Sequence, residues 1–468
     1  MLGLLIAAGC ATAPGTPGDE EPPVPVEDAI EQAPATIAPE GEQEVPLAVA
    51  ESEQHEAAPA TGGLAEVVVE GRIPDRSDLI RDRVAEAQSL LRNVELEYFF
   101  VRQRGREVLR GRPVAFALWS ESRQEWTIAH VEIPRPPVRW KPGRRPLQFL
   151  VRTSGVRARH VKGTGAERLM FAFTKDGEDL KVYGRKFPVF DNALLRARRW
   201  RDVARTARPI VYLPFTDDTL DPAFVGSGRQ FLLDTARKAG EELRLAGVPS
   251  AAFPGELLAD VIPAEVITTL AVIEQTDDTD FREDGATAVE QVLSQYGLKR
   301  QEAYRYSVSS AAALGPMQFT NRRGNGTYAL VVRRCAGAGL DPNFERGATN
   351  LQNAMKAAIC LLDIELSQMR EDIRLAYRAN PAVLGIFPVA GYNGGPRNVA
   401  KLYRVLGRMR VRLEDLRRAG EPSREGGVNC PCVWHQTDNG IRPVAIPRYN
   451  RENRWYIEKY QNILGVFE

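Results

Sequence analysis

Three short strings in the second half of this 468-residue chain carry side chains that can do chemistry. The first, AVIEQTDDTDF (271–281), places Glu274 late in an apolar run. The second, SSAAALGPMQFT (309–320), holds Gly315, Pro316, Met317, Gln318 and Phe319. The third, VAGYNGGPRNVAKLY (389–403), sets Tyr392 and Asn393 among Gly391, Gly394 and Gly395. A glutamate late in an apolar helix, beside Val272 and Ile273, should be desolvated. Desolvation disfavours the carboxylate, raises its pKa and keeps a proton available near neutral pH, which is what a general acid needs. Glu265, Asp277, Asp278 and Asp280 are its near rivals. The glycines around Tyr392 and Asn393 let backbone approach a ligand closely and turn tightly.

Together with Asn350 and the helix after it, these strings resemble the lysozyme-like catalytic domain of the lytic transglycosylases, the soluble and membrane-bound murein transglycosylases. The family pattern is Glu-Ser, then Gly-Leu-Met-Gln, then Ala-Tyr-Asn-Ala-Gly-Pro. The chain has Glu274-Gln275, Gly315-Pro316-Met317-Gln318 and Gly391-Tyr392-Asn393-Gly394-Gly395-Pro396. RENRWYIEKYQNIL (451–464) resembles the family's closing Glu-Thr-Arg-x-Tyr-Val stretch. The resemblance covers about 225–468.

The resemblance implies a peptidoglycan lytic transglycosylase. Such an enzyme cleaves the β-1,4 bond between MurNAc and GlcNAc without water and leaves 1,6-anhydroMurNAc ends. Glu274 would be the sole acid and base, assisted by the substrate's N-acetyl group. Gln275, Gly315, Met317, Gln318, Phe319, Tyr392 and Asn393 would form the substrate site. Within it, Tyr392 would hydrogen-bond near the catalytic carboxylate and Asn393 would hold the acetamido group or the sugar. Gln318 and the backbone around Met317 would line the other side of the groove. No cofactor and no metal is implied. Two departures stand out. Gln275 replaces the family's common serine, and about 25 extra residues separate Glu274 from the Gly-Pro-Met-Gln string. That insertion predicts an extra helix beside the cleft.

Other functions compete. A lysozyme-like hydrolase would need a second carboxylate to position water, with Asp277, Asp278, Asp280 and Glu283 as candidates. A catalytically inactive wall-binding protein would keep the fold with a degenerate site. Nucleic-acid binding has no helix-turn-helix, zinc-finger or RNA-binding string behind it. Zinc has no C-x₂-C pair, and the four histidines, at 55, 130, 160 and 435, are scattered. The aspartates at 277–280 lack the spacing of a calcium loop and read as a helix-end turn. Cys335, Cys360, Cys430 and Cys432 allow three pairings, which the sequence leaves open, though Cys430-Pro431-Cys432 is too tight for an easy local bridge and any bonds are expected across segments.

Charge is divided unevenly. Residues 1–71 hold fourteen acidic side chains and no Lys or Arg, so the rest of the chain carries a net +15. Such a body suits an anionic partner, and murein carries carboxylates on its peptide stems and lactyl groups. Ile6-Ala7-Ala8-Gly9-Cys10 resembles a bacterial lipobox, which makes Cys10 the expected lipidation site after a signal remnant (1–10). Residues 11–64 are Pro-, Ala- and Glu-rich without periodicity and read as a disordered tether. The expected location is the periplasmic face of the envelope, as an outer-membrane lipoprotein. Expected partners are glycan strands, the membrane through the anchor, and envelope proteins through an accessory domain. No apolar run approaches the ~20 residues of a membrane-spanning helix.

The elements that must position the chemistry fall into two regions. Residues 77–93 read as a helix capped by Ser77. Between 95 and 215, runs such as RPVAFALWS, EWTIAHVEI and RLMFAFT predict five to seven strands and one helix near 193–206. Trp119, Trp126, Trp140, Arg144 and Arg145 there could bind sugar or an acidic polymer, or be core and surface. From about 226 the pattern is helical: 229–247, a helix capped by Asp260, then 326–338, 347–370, 383–406 and 450–464. The fold class expected is α+β multidomain. A β-rich accessory domain (65–222) precedes a mostly α lysozyme-like domain (223–468).

Overall fold

The structure, a computed structural model, describes residues 75–134, 147–163, 169–191, 194–195, 197–213, 216–309, 312–321, 326–417, 432–438, 440–446 and 451–467. The expected anchor at Cys10, the tether, Trp140, Arg144, Arg145 and Cys430 lie outside these residues. The chain divides into Met1–Glu70 and one compact unit, Gly71–Glu468, which mixes helices and strands.

The first helix, α1 (Arg76–Arg92), is capped by Asp75, whose carboxylate accepts from Asp78 N. The sequence favoured Ser77 for this role; Ser77 is instead buried inside the first turn. Nine strands follow. β1 (Phe100–Gln103) and β2 (Arg106–Leu109) form a two-stranded hairpin. The others are β3 (Gly111–Ser120), β4 (Glu125–Pro134), β5 (Leu150–Val151), β6 (Val156–Lys162), β7 (Met170–Lys175), β8 (Glu178–Val189) and β9 (Arg208–Tyr212). They build one antiparallel sheet in the order β5-β4-β3-β8-β7-β6, with β9 paired to the far half of β8.

Period-two alternation gives this sheet two packed faces. Val114, Phe116 and Leu118 of β3 join Val131, Ile133, Phe171 and Phe173 in one core. Ala115, Ala117 and Trp119 point the other way, onto Ile80, Val84, Ala87 and Leu91 of α1. The small residues on β3 let α1 lie close. Of the tryptophans offered as sugar binders, Trp119 is buried under the Arg83 guanidinium. Trp126 donates its indole N–H to Glu86 of α1. Both hold α1 to the sheet.

Phe224, in the first turn of α3 (Pro222–Leu245), belongs to this same second core, so sheet and helices are continuous. Asp221 caps α3 and Pro222 starts it, earlier than the apolar periodicity predicts. The main helices after it are α4 (Ala264–Gln275), α5 (Asp278–Asp284), α6 (Ala286–Lys299), α7 (Leu351–Ser367), α8 (Ile386–Gly394), α9 (Pro396–Arg408) and α10 (Arg451–Leu464). They share one large apolar core.

Several expectations need correction. Asp260 caps nothing; it sits in a short helix, Leu258–Val261, and pairs with Arg244, while Pro263 precedes α4. The run 347–370 breaks at Asn350, whose side chain accepts from Asn353 N and caps α7. The run 383–406 is three helices. It breaks at Gly385, where a Cβ would lie 1.9 Å from the Tyr460 hydroxyl, and at Gly395, with φ +73°. The insertion's expected helix is present as α6. It is pressed against α3, because a Cβ on Gly228 or Gly297 would lie 1.9 or 2.0 Å from a backbone oxygen of the other helix. Its Ser294 hydroxyl donates to Thr219 O, and Lys299 donates to Leu213 O at the end of the sheet.

Cys335 and Cys360 form a disulfide that ties the helix Thr327–Arg334 to α7. Cys432 is also disulfide-bonded. A small sheet, unforeseen in the sequence, joins β10 (Leu416–Arg417), β11 (Cys432–Thr437) and β12 (Gly440–Ala445).

Candidate active site

Helix α4 is buried nearly all round, from Val266 to Ile273. Thr268 and Thr269, within that stretch, return their hydroxyls to carbonyls one turn back. A helix apolar on every side must run through the core. Its last turn delivers Glu274, half-buried between Ile273 and Gln275. Thr276 closes the helix by donating its hydroxyl to Val272 O at 2.7 Å.

Gln275 is 7% exposed, and its amide is spent inside the protein. Nε2 donates to Pro316 O at 2.8 Å and to Gly315 O at 3.3 Å, and Oε1 accepts from the Ser307 hydroxyl at 3.0 Å. The residue expected to touch substrate instead pins the Gly-Pro-Met-Gln turn to α4. A serine could not span that distance.

The turn itself is tight. Leu314 and Phe319 exchange both backbone hydrogen bonds, at 2.8 and 3.2 Å. Gly315 (φ +78°) and Gln318 (φ +49°) are left-handed, and a Cβ on Gly315 would lie 1.9 Å from Ala348 O. Only glycine fits there. The Met317 and Phe319 side chains are sealed in the core, at 0% and 1% exposed. They support the turn from below rather than forming a surface. Gln318 is half-buried and folds its amide back onto Gly315 O at 2.7 Å.

Helix α8 brings the third string. The Tyr392 hydroxyl donates to Met317 O at 2.6 Å, and its ring meets Phe319 edge-on at 6.0 Å. Burial, and then the nearby charge of Glu274, hold the Tyr392 pKa well above its ordinary value. Tyr392 therefore stays protonated and acts as a donor. The Asn393 amide donates to Asn453 Oδ1 at 2.5 Å.

The helix expected over 450–464 is present as α10, but the contacts its side chains make at the site were not read from the sequence. Tyr456 of α10 is 8% exposed, and its hydroxyl donates to Glu274 Oε1. Asn453 holds Asn393, and Lys459 donates to Thr276 O at 2.5 Å and pairs with Asp278 at 2.6 Å. Residues 453, 456 and 459 recur at a three-residue spacing along one helix face. Polar residues at that spacing on a helix that is otherwise buried were the available signal.

The rival aspartates are engaged elsewhere. Asp277 caps α5, accepting from Thr279 N at 2.7 Å. Asp278 pairs with Lys459, and Asp280 with Lys162 of β6 at 3.2 Å. Glu283 is exposed. Glu365 of α7 is buried against Gly391, and burial raises its pKa. Among the described residues no group of three His, Cys, Asp or Glu side chains could hold a metal ion. A cavity of about 590 Å³ lies elsewhere, lined by Asp372, Leu384, Tyr403, Leu406 and Val411, and contains none of these residues.

The arrangement brings together one half-buried carboxyl, two tyrosine hydroxyls and a rigid turn; α10 holds Glu274 and Asn393, while Gln275 and Tyr392 hold the turn. The carboxyl can give a proton to a bound group and take one back. No family model, no curated protein and no solved structure matches the chain.

Proposed function

We propose that the chain is a peptidoglycan lytic transglycosylase with a lysozyme-like catalytic fold, and that Glu274 is its acid and base. The observation that carries this reading is the environment of Glu274. The side chain ends a buried helix and is gripped by the Tyr456 hydroxyl. The aspartates that follow it are committed to a helix cap and to two lysines. One working carboxyl suits a reaction in which the substrate supplies its own nucleophile.

Glu274 gives its proton to the glycosidic oxygen as the bond to muramic C1 breaks. The N-acetyl group shares the positive charge at C1. The C6 hydroxyl of the same sugar then bonds to C1, and its proton returns to Glu274. One C–O bond breaks, one forms, and no water is consumed. Tyr456 holds the carboxylate in place between the two proton transfers. Tyr392 and Gln275 hold the Gly315–Gln318 turn opposite it.

The protein acts outside the cytoplasm, anchored through Cys10 at the outer membrane, with the acidic segment as tether and murein strands as substrate. The sheet unit is the place for envelope partners. The test is digestion of purified sacculi by the full chain, read by mass spectrometry beside Glu274→Gln. Anhydromuropeptides from the wild type alone are expected. Reducing-end products alone would make the enzyme a hydrolase. No product from either chain would leave a wall-binding protein with a relic motif.

A further inference from the structure

The β1–β2 hairpin ends in a cluster of cations that the catalytic reading does not use. Its register pairs Arg102 with Glu107 and Gln103 with Arg106, leaving Arg104-Gly105 as a two-residue turn. Both turn residues are left-handed, at φ +49° and +77°. Such a turn favours Asn, Asp or Gly at its first position. This chain places an arginine there, against the backbone's preference.

The base of the hairpin is fixed. Leu109 is buried, and the Arg201 guanidinium of α2 (Trp200–Arg205) lies 5.2 Å over the Phe100 ring. The same guanidinium holds both oxygens of Glu107, at 2.7 and 3.0 Å. That bond keeps the Glu107 carboxyl below the usual carboxylate range and occupies the only acid of the hairpin. Arg102, Arg104 and Arg106 are exposed; Arg102, opposite Glu107, adds its charge to that carboxyl's surroundings, and among the described residues none of the three comes within ion-pair distance of an acid. Residues opposite each other in a hairpin share a face, so Arg102 and Arg106 lie on different faces with Arg104 at the tip.

We propose that this hairpin is a docking finger for a carboxylate-bearing polymer mesh, namely the peptide-substituted glycan on which the proposed enzyme acts. The choice of polymer rests on that proposed function; the existence of the finger does not. Its shape selects the partner. A flat anionic membrane can engage one face of a ribbon at a time. A finger that is basic on both faces and at its tip is satisfied only when anions surround it, as in an open network. The net charge of +15 beyond residue 71 acts in the same direction.

The test uses the full chain with Glu274→Gln, so that sacculi stay intact, and measures co-sedimentation. Neutralising the finger as R102Q/R104N/R106Q should weaken binding roughly tenfold, the scale of three exposed charge contacts. Asparagine suits the turn, so the melting temperature should hold. R102K/R106K should keep most of the binding. Capping sacculus carboxyls as neutral amides should weaken the unmodified finger by a similar factor. Equal affinity for native and capped sacculi, or no change on neutralisation, overturns the proposal. So does arginine-dependent binding to phosphatidylglycerol vesicles or duplex DNA in place of sacculi. The two proposals fail separately. With Glu274 restored, the neutralised chain should cleave soluble glycan fragments like wild type. A chain that cleaves nothing yet sediments through these arginines would sink the enzyme and leave the finger.

Discussion

The Tyr456 hydroxyl donates to Glu274 Oε1 across 182 positions of sequence. Residue 274 lies in the last turn of a helix that runs through the large core, and residue 456 lies on α10, packed against the same core. The relation between acid and donor is therefore set by the packing of α10 on α4. Lys459 reinforces it by gripping Thr276 O, immediately beyond the α4 end.

Tyr456→Phe keeps the ring and removes the hydroxyl. The protein should melt within a few degrees of wild type, while kcat on glycan strands falls by roughly one to two orders of magnitude, the scale of one lost hydrogen bond to a reacting group. KM should change little, because the hydroxyl touches Glu274 and not a sugar. Circular dichroism melts beside steady-state kinetics check this, and a normal kcat would remove Tyr456 from the site.

Gln275→Ser restores the residue common in the resembling family, and should still do harm. Serine cannot reach Pro316 O, so that buried carbonyl and the Ser307 hydroxyl lose the Gln275 amide, while Gly315 O keeps its bond from Gln318. The expected loss is about 2 kcal/mol of stability. Denaturant unfolding reads it. An unchanged or higher stability would show that the bracket contributes little.

Gly228→Ala and Gly297→Ala each drive a methyl into a backbone oxygen of the facing helix. Because backbone cannot yield as a side-chain tip can, each should cost at least ~2 kcal/mol. A control at Gly240 of α3, which has open space around its missing Cβ, should be neutral or stabilising. Similar melting temperatures for all three variants would contradict the close α3–α6 contact.

Stability should depend on pH through Glu458 of α10. It is 3% exposed, and burial raises its pKa from 4.5 to about 7, offset in part by hydrogen bonds from Cys432 N and Asn462. The folded state thus keeps a proton that the unfolded state releases. Its contribution is fully present below pH 4.5 and is lost as pH rises through about 7. The total is roughly 3 kcal/mol. Glu458→Gln should flatten that slope in thermal melts across the window; an unchanged slope would assign the dependence to another group.

Much of this was legible before the structure. Glu274 was marked by its position late in an apolar run, and Tyr392 and Asn393 by their glycines. The β3 and β4 strands showed in their apolar runs, and the helix at 451–464 was foreseen to within a residue. What the sequence withheld is tertiary. The break at Gly385 depends on the Tyr460 hydroxyl, and local periodicity runs straight through it. Gln275 reads as a substrate contact until its three internal partners are seen. Met317 and Phe319 sit in the string that resembles the family's groove motif, yet the turn points both inward. Tyr456 has no chemical signature of its own; only the fold brings it to a carboxyl. The Cys335–Cys360 bond was one of several pairings that counting permits.

The most direct test of the central claim is digestion of sacculi by the wild-type chain in heavy-oxygen water, with the products read by mass spectrometry. Intramolecular attack by the C6 hydroxyl takes no atom from solvent. The expected result is 1,6-anhydroMurNAc ends without heavy oxygen at C1. Reducing MurNAc ends carrying heavy oxygen would contradict it, and would mean that a second group positions water opposite Glu274.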